Sequence, residues 1–93
     1  MVLWSGSGFA VLSRDRDELT IVDWAAVEES AWPLMDAVVA EANALGCTRL
    51  RGEYVATGAN ETMREYLAQF GFTMMGEDEG ATYWILPVSA YQP

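Results

Sequence analysis

Gly52-Glu53-Tyr54-Val55-Ala56-Thr57-Gly58-Ala59-Asn60, continuing through Met63, Tyr66 and Leu67 to Phe70-Gly71-Phe72, reads as strand, loop, helix, glycine stop and next strand. Arg49 to Val55 has strand character, carried by Leu50, Tyr54 and Val55. Thr57-Gly58-Ala59 is a small-residue loop, and Asn60 can cap a helix by accepting a backbone N–H two or three residues on. Met63, Tyr66, Leu67 and Phe70 recur at helical spacing. Gly71 follows the last of them, where a left-handed helix end favours glycine. Phe72 to Met75 then begins another strand.

Working back toward the N-terminus, Phe9 to Leu12 and Leu19 to Trp24 are two strand-like runs around the polar turn Arg14-Asp15-Arg16-Asp17, so they predict an antiparallel hairpin with a charged, solvated tip. Residues 1–7 are small-residue rich and are expected to form a terminal segment, with Trp4 anchored under the sheet. Ser30 can cap a helix that holds Pro33 in its first turn, where a missing N–H costs nothing. Leu34, Met35, Val38, Val39, Ala42 and Leu45 mark the buried face of that helix, and Gly46 ends it. Strand, helix, strand implies a right-handed crossover between parallel neighbours. On the other side, Phe72–Met75 and Thr82–Leu86 flank Gly76-Glu77-Asp78-Glu79-Gly80 and predict a second hairpin. Pro87 ends it, and residues 89–93 form a free tail. The fold class is α+β, in the order ββαβαββ, with a single mixed sheet and two main helices in one domain, 1–93.

The totals narrow the function. Net charge is −9 with five basic residues, which argues against nucleic acid, an anionic membrane surface or a strongly acidic partner such as an acyl carrier protein. There is no histidine, so Ser-His and Cys-His pairs and histidine metal sites are excluded, and no metal is expected. The lone Cys47 allows no internal disulfide and reads as a small buried residue with no base to activate it. No apolar run approaches a membrane span, and no basic region precedes an apolar run at the N-terminus, so a cytoplasmic location is expected.

The order of elements, with Ala42-Leu45-Gly46 closing one helix and Asn60 and Gly71-Phe72 framing the next, resembles the C-terminal half of the GCN5-related N-acetyltransferase (GNAT) fold. Arg49-Leu50-Arg51-Gly52-Glu53-Tyr54, with Thr57, Asn60, Met63-Arg64 and Gly71-Phe72, is most similar to the acetyltransferase-like C-terminal domain of FkbH-like proteins. Those proteins also carry a haloacid-dehalogenase-type domain and act in loading a glyceryl unit onto a carrier protein. The resemblance covers roughly residues 8–88 and implies a truncated GNAT-like fold, without the first strands and helices of the full one.

The resemblance also implies where a cofactor would sit. Acetyltransferases of this fold hold the pyrophosphate of coenzyme A at a helix N-terminus, on a glycine-rich turn helped by Arg or Gln. The matching stretch here is Val27-Glu28-Glu29-Ser30-Ala31, which has no glycine and no basic residue. Two unit charges ~4 Å apart repel by about 4 kcal/mol at a surface-like dielectric, so this acid pair opposes a diphosphate and suits the helix dipole instead. Val27, Ser30, Ala31 and Asn60 remain the candidate cofactor contacts. The family's general-acid tyrosine falls on Leu67. Tyr66 lies one residue earlier, about 100° around the helix. Tyr66 and the strand carboxylate Glu53 are the catalytic candidates. Packing is the alternative for Tyr66, and an ion pair with Arg49, Arg51 or Arg64 is the alternative for Glu53.

Three function classes follow. The first is a non-catalytic or degenerate acetyltransferase-like module that acts by protein binding or self-association, forms a homodimer through an exposed sheet edge or face, and needs no cofactor. The second is a small acyl-CoA-dependent N-acyltransferase, using coenzyme A or acetyl-CoA with an atypical cofactor loop. A third is a small-molecule binder built on Trp24, Trp32, Tyr54 and Trp84.

Overall fold

The computed structural model describes residues 1–6, 8–26, 28–55 and 61–91, with backbone alone at 28 and 61–63. The charged tip at Arg16 and Asp17 joins β2 (Gly8–Asp15) to β3 (Glu18–Ala25) as the expected hairpin, with Arg16 at φ 57. The tip is exposed but not idle. Asp17 accepts hydrogen bonds from the Thr48 backbone and hydroxyl and pairs with Arg49 at 3.6 Å, tying the turn to the start of β4 (Arg49–Val55).

One strand escaped the sequence reading. Residues 2–5 form β1 (Val2–Ser5), which pairs antiparallel with β2, so the order is βββαβαββ. Trp4 is correspondingly not an anchor under the sheet. It is 67% exposed, with its ring 5.2 Å from that of Phe9 on the next strand. The reason is alternation: Leu3 takes the core side of this short strand, so Val2 and Trp4 must face the other way.

The first helix, α1 (Glu28–Ala44), begins three residues earlier than a Ser30 cap implies. Its opening residues are acids, which suit the positive end of the helix dipole. Ser30 is therefore inside the helix and buried, not its cap, and Pro33 lies in the interior. The cost is the hydrogen bond to the Glu29 carbonyl, at an exposed end of the helix. The second helix is α2 (Glu61–Gln69); Asn60 and the loop before it lie outside the described residues.

Both helices stop the same way. Gly46 at φ 75 and Gly71 at φ 100 take left-handed backbone. Gly46 N–H donates to Asn43 and Cys47 N–H to Ala42; Gly71 N–H donates to Ala68 and Phe72 N–H to Leu67. These are Schellman pairs, which occupy carbonyls that the helix end would leave open. At Gly71 a Cβ would meet only Leu86 Cδ1 at 3.6 Å, an ordinary contact, so the obstacle to a side chain is backbone alone. Gly71→Ala is expected to cost about 1–2 kcal/mol and to lower the melting temperature by roughly 5–10 °C in a thermal melt followed by circular dichroism.

After α2, β5 (Thr73–Asp78) and β6 (Ala81–Pro87) form the second hairpin. Its turn is tighter than the sequence suggests. Gly76 belongs to the strand, beside a bulge, and only Glu79 (φ 50) and Gly80 (φ 84) make the bend. The tail is not free either. A short turn, Val88–Ala90, buries Val88, and the Tyr91 hydroxyl donates to Asp36 on α1 at 2.5 Å. Burial, then the Asp36 acceptor and its charge, push the Tyr91 pKa above the ordinary tyrosine range.

The six strands make one mixed sheet, ordered β1-β2-β3-β4-β6-β5. Both helices cover the same face. Leu34 of α1 sits over Gly8, and Leu67 of α2 sits over Gly52. The core lies in that layer, with Ala10, Leu12, Leu19, Ile21, Leu50, Tyr54, Trp84 and Leu86 from the sheet and Leu34, Met35, Val38, Leu67 and Phe70 from the helices. Among the described residues nothing covers the opposite face.

Candidate functional site

β3 and β4 run parallel, but they pair only from Glu18–Arg49 to Ile21–Gly52. Past that point β3 continues to Ala25 and β4 to Val55 without a shared register. The split lies at the C-terminal ends of the parallel strands. It opens toward the starts of α1 and α2, which is where open α/β sheets take ligands. Aromatic rings close it on the helix side. Phe70, at the end of α2, is the hub: Trp32 meets it edge-on at 4.8 Å, Trp24 at 5.7 Å, and Tyr66 stacks on it at 5.8 Å. Tyr91 lies against the outer side of Trp32. The cavity left among Ile21, Trp24, Met35, Tyr66, Leu67 and Phe70 is about 10 Å³ and lined by apolar atoms. That is at the lower limit for a single water molecule.

The candidate residues fall into separate places. Tyr66 is in this ring cluster, on the helix face. Glu53 is on β4, on the opposite face, with its carboxylate 3.6 Å from Arg51 Nε. The sheet stands between them, so they cannot serve one substrate as acid and base. Ser30 is buried and faces Gly6, whose missing Cβ would lie 3.1 Å from the Ser30 hydroxyl; Ala31 is fully buried in the core. Neither side chain reaches the surface at the helix start, where the exposed Glu29 stands. Val27 and Asn60 lie outside the described residues. Cys47 is buried and unbonded to another cysteine.

Sequence reasoning missed two features. One is the convergence of Trp24, Trp32 and Tyr66 on Phe70, whose only sequence signal was a surplus of aromatics near the two helix ends. The other is Arg51, whose guanidinium lies 4.7 Å from the Tyr83 ring centre while its Nε is buried without a hydrogen bond. Strand alternation puts Arg51 and Glu53 together; the neighbour across β6 cannot be read without the register. Among the described residues no three His, Cys, Asp or Glu gather as metal ligands, and no described helix is long and apolar enough to cross a membrane.

No family model matches the sequence, and no curated protein matches it. Solved structures do. The ribosomal-protein-S18-alanine N-acetyltransferase of Escherichia coli superposes with a TM-score of 0.66 at 20% identity, over 87% of this chain and 61% of its own. A GNAT-family protein from Desulfovibrio desulfuricans gives 0.71 at 16% identity, over 88% and 61%. This is the GNAT fold. A Bacillus subtilis acetyltransferase in complex with CoA also matches, with a TM-score of 0.66 at 16% identity, over 92% of this chain and 74% of its own. The chain therefore spans about three-fifths of the length of the first two GNAT structures. At these identities the likeness is one of fold.

Proposed function

We propose that this chain is an acetyltransferase-like module that works by binding protein and not by transferring an acyl group. The observation that carries the reading is the sheet face opposite the helices. It is uncovered among the described residues, and Val2, Trp4 and Val22 stand on it at more than half exposure. Single exposed apolar residues are ordinary, but several on one face mark an interface. The split between β3 and β4 supports the same reading from the other side. It is filled by the chain's own rings, Tyr66 and Glu53 are on opposite faces, and an acid stands at the helix start. The resemblance to FkbH-like proteins rests on the Arg49–Tyr54 motif and supplies a precedent for such a domain working beside another one.

The second reading is a small acyl-CoA-dependent N-acyltransferase, favoured by the CoA-bound Bacillus subtilis neighbour. Thermal unfolding in the presence of coenzyme A separates the two. A ligand at a hundredfold excess over its dissociation constant adds about 2.7 kcal/mol, which in a domain of this size raises the midpoint by at least about 10 °C. The expected result is an unchanged midpoint at millimolar coenzyme A. A rise of that size establishes the second reading and removes the first.

A further inference from the structure

We propose that residues 88–91, after β6, are a strap that holds the split between β3 and β4 shut from outside, through the Tyr91 hydroxyl and the Trp32 ring. The proposal goes beyond the protein-binding reading and does not depend on it. The strap is rooted at the far end of the sheet, where Pro87 pairs with Arg49. Val88 is buried, and its N–H donates to the Thr48 carbonyl at 2.9 Å. Tyr91 N–H returns to the Val88 carbonyl at 3.3 Å, which closes the turn. The Tyr91 side chain then crosses to α1, where its hydroxyl donates to Asp36 at 2.5 Å. That bond joins residues 55 positions apart.

Asp36 lies one helical turn after Trp32, so the two share a face of α1. One side chain engages both. While its hydroxyl reaches Asp36, the Tyr91 ring lies 6.4 Å from that of Trp32, tilted by 33°. Trp32 in turn meets Phe70 edge-on at 4.8 Å. Phe70 is one wall of the apolar void of about 10 Å³, together with Trp24 and Tyr66. The order from outside inward is thus Tyr91, Trp32, Phe70 and the split, and each ring is the outer support of the next.

The strap is built to open before the fold does. Of its four residues only Val88 is buried; Ser89 and Ala90 are exposed, and Tyr91 is half-buried. Segments with so few buried contacts open locally, below the free energy of global unfolding. Breaking the bond strands no charge, because Asp36 is itself exposed. The closed state is nonetheless specific. A hydroxyl donating to a carboxylate makes a short, strong hydrogen bond, and burial, then Asp36, keep Tyr91 in its protonated, donating form. With the strap off, Trp32 loses its outer neighbour and Phe70 is free to turn away from the void. Coupling between two sites runs both ways, so a ligand entering the split would free the tail, and a partner taking the tail would open the split.

Hydrogen exchange followed by mass spectrometry tests the strap. Tyr91→Phe keeps the ring and removes the donor, and Asp36→Ala removes the acceptor. Each is expected to speed exchange roughly fivefold or more in peptides spanning residues 22–25 and 66–70, as loss of one hydrogen bond to a charged group allows, and to leave β2 unchanged. The double variant should exchange no faster than either single one, because both break the same bond. Gly46→Ala is the control. It strains a φ of 75 in open space at the other end of α1, so it lowers stability without touching the strap. Wild-type exchange at the split in both single variants overturns the proposal. So does a double variant whose effect is the product of the two, or a Gly46→Ala protein that opens the split peptides as much as Tyr91→Phe does.

Discussion

Phe70→Ala is expected to remove about 3–5 kcal/mol of stability. Three aromatic rings rest on this one side chain, and it is itself only 4% exposed. Truncation deletes the ring's own burial and the edge-to-face contacts with Trp24 and Trp32, each worth more than area alone. It also leaves a hole that the ends of two helices and a strand would have to collapse to fill. A domain this size has roughly 5–15 kcal/mol in total, so the variant gives up about a fifth of it or more. The melting temperature should fall by at least about 12 °C. Tryptophan emission should shift to the red in the folded state, because Trp24 and Trp32 lose their shared neighbour. Phe70→Leu, which refills part of the volume, should cost less. A loss below about 1 kcal/mol for the alanine variant would mean that the cluster does not hold the split between β3 and β4 shut.

Gly8→Val is the second large effect, and it works through crowding. A Cβ on Gly8 would lie 3.1 Å from the Ala25 carbonyl oxygen, 3.1 Å from Ala26 Cβ and 3.2 Å from Leu34 Cδ2. Only the last belongs to the end of a flexible side chain. Valine then adds two methyl groups to a place that has no room for one. Overpacking of this kind costs about 1–3 kcal/mol, and the backbone oxygen places Gly8 at the upper end. Gly76→Val is the control. It is also a strand glycine, but nothing lies within 4 Å of its Cβ position, and a β-branched residue suits a strand. Urea unfolding should show a clear drop in midpoint for Gly8→Val and little change for Gly76→Val. Equal effects would contradict the packing of α1 on β2.

These two positions also show how far the sequence could be read. The alternation and glycine stops around β4 and α2 were legible because they are local: Leu50, Gly52 and Tyr54 on one side, Gly71 after the last helical residue. The charged tip of the first hairpin was legible for the same reason. Trp4 was misread because an aromatic side chain suggests burial, while its side of the sheet is set by which face the helices cover. That choice depends on Leu34 and Leu67 crossing Gly8 and Gly52, distant pairs with no local signature. Ser30 and Pro33 suggested a helix start, and the helix begins at the acids ahead of them instead. At the candidate site, Glu53 beside Arg51 followed from alternation, and the ion pair is there. That Tyr66 lies across the sheet from Glu53 required knowing where α2 packs.

The four-pair seam between β3 and β4 bears on how the chain assembles. It is the sole parallel pairing among the described residues, and it joins segments separated by the whole of α1. On one side the strands β1 to β3 zip through tight local turns; on the other, β5 and β6 do the same. Each unit can form early, because little chain entropy is lost in closing a short loop. β4 can dock only once α1 has swung across the sheet. The molecule is thus expected to fold as two locally made pieces clasped late by one central strand.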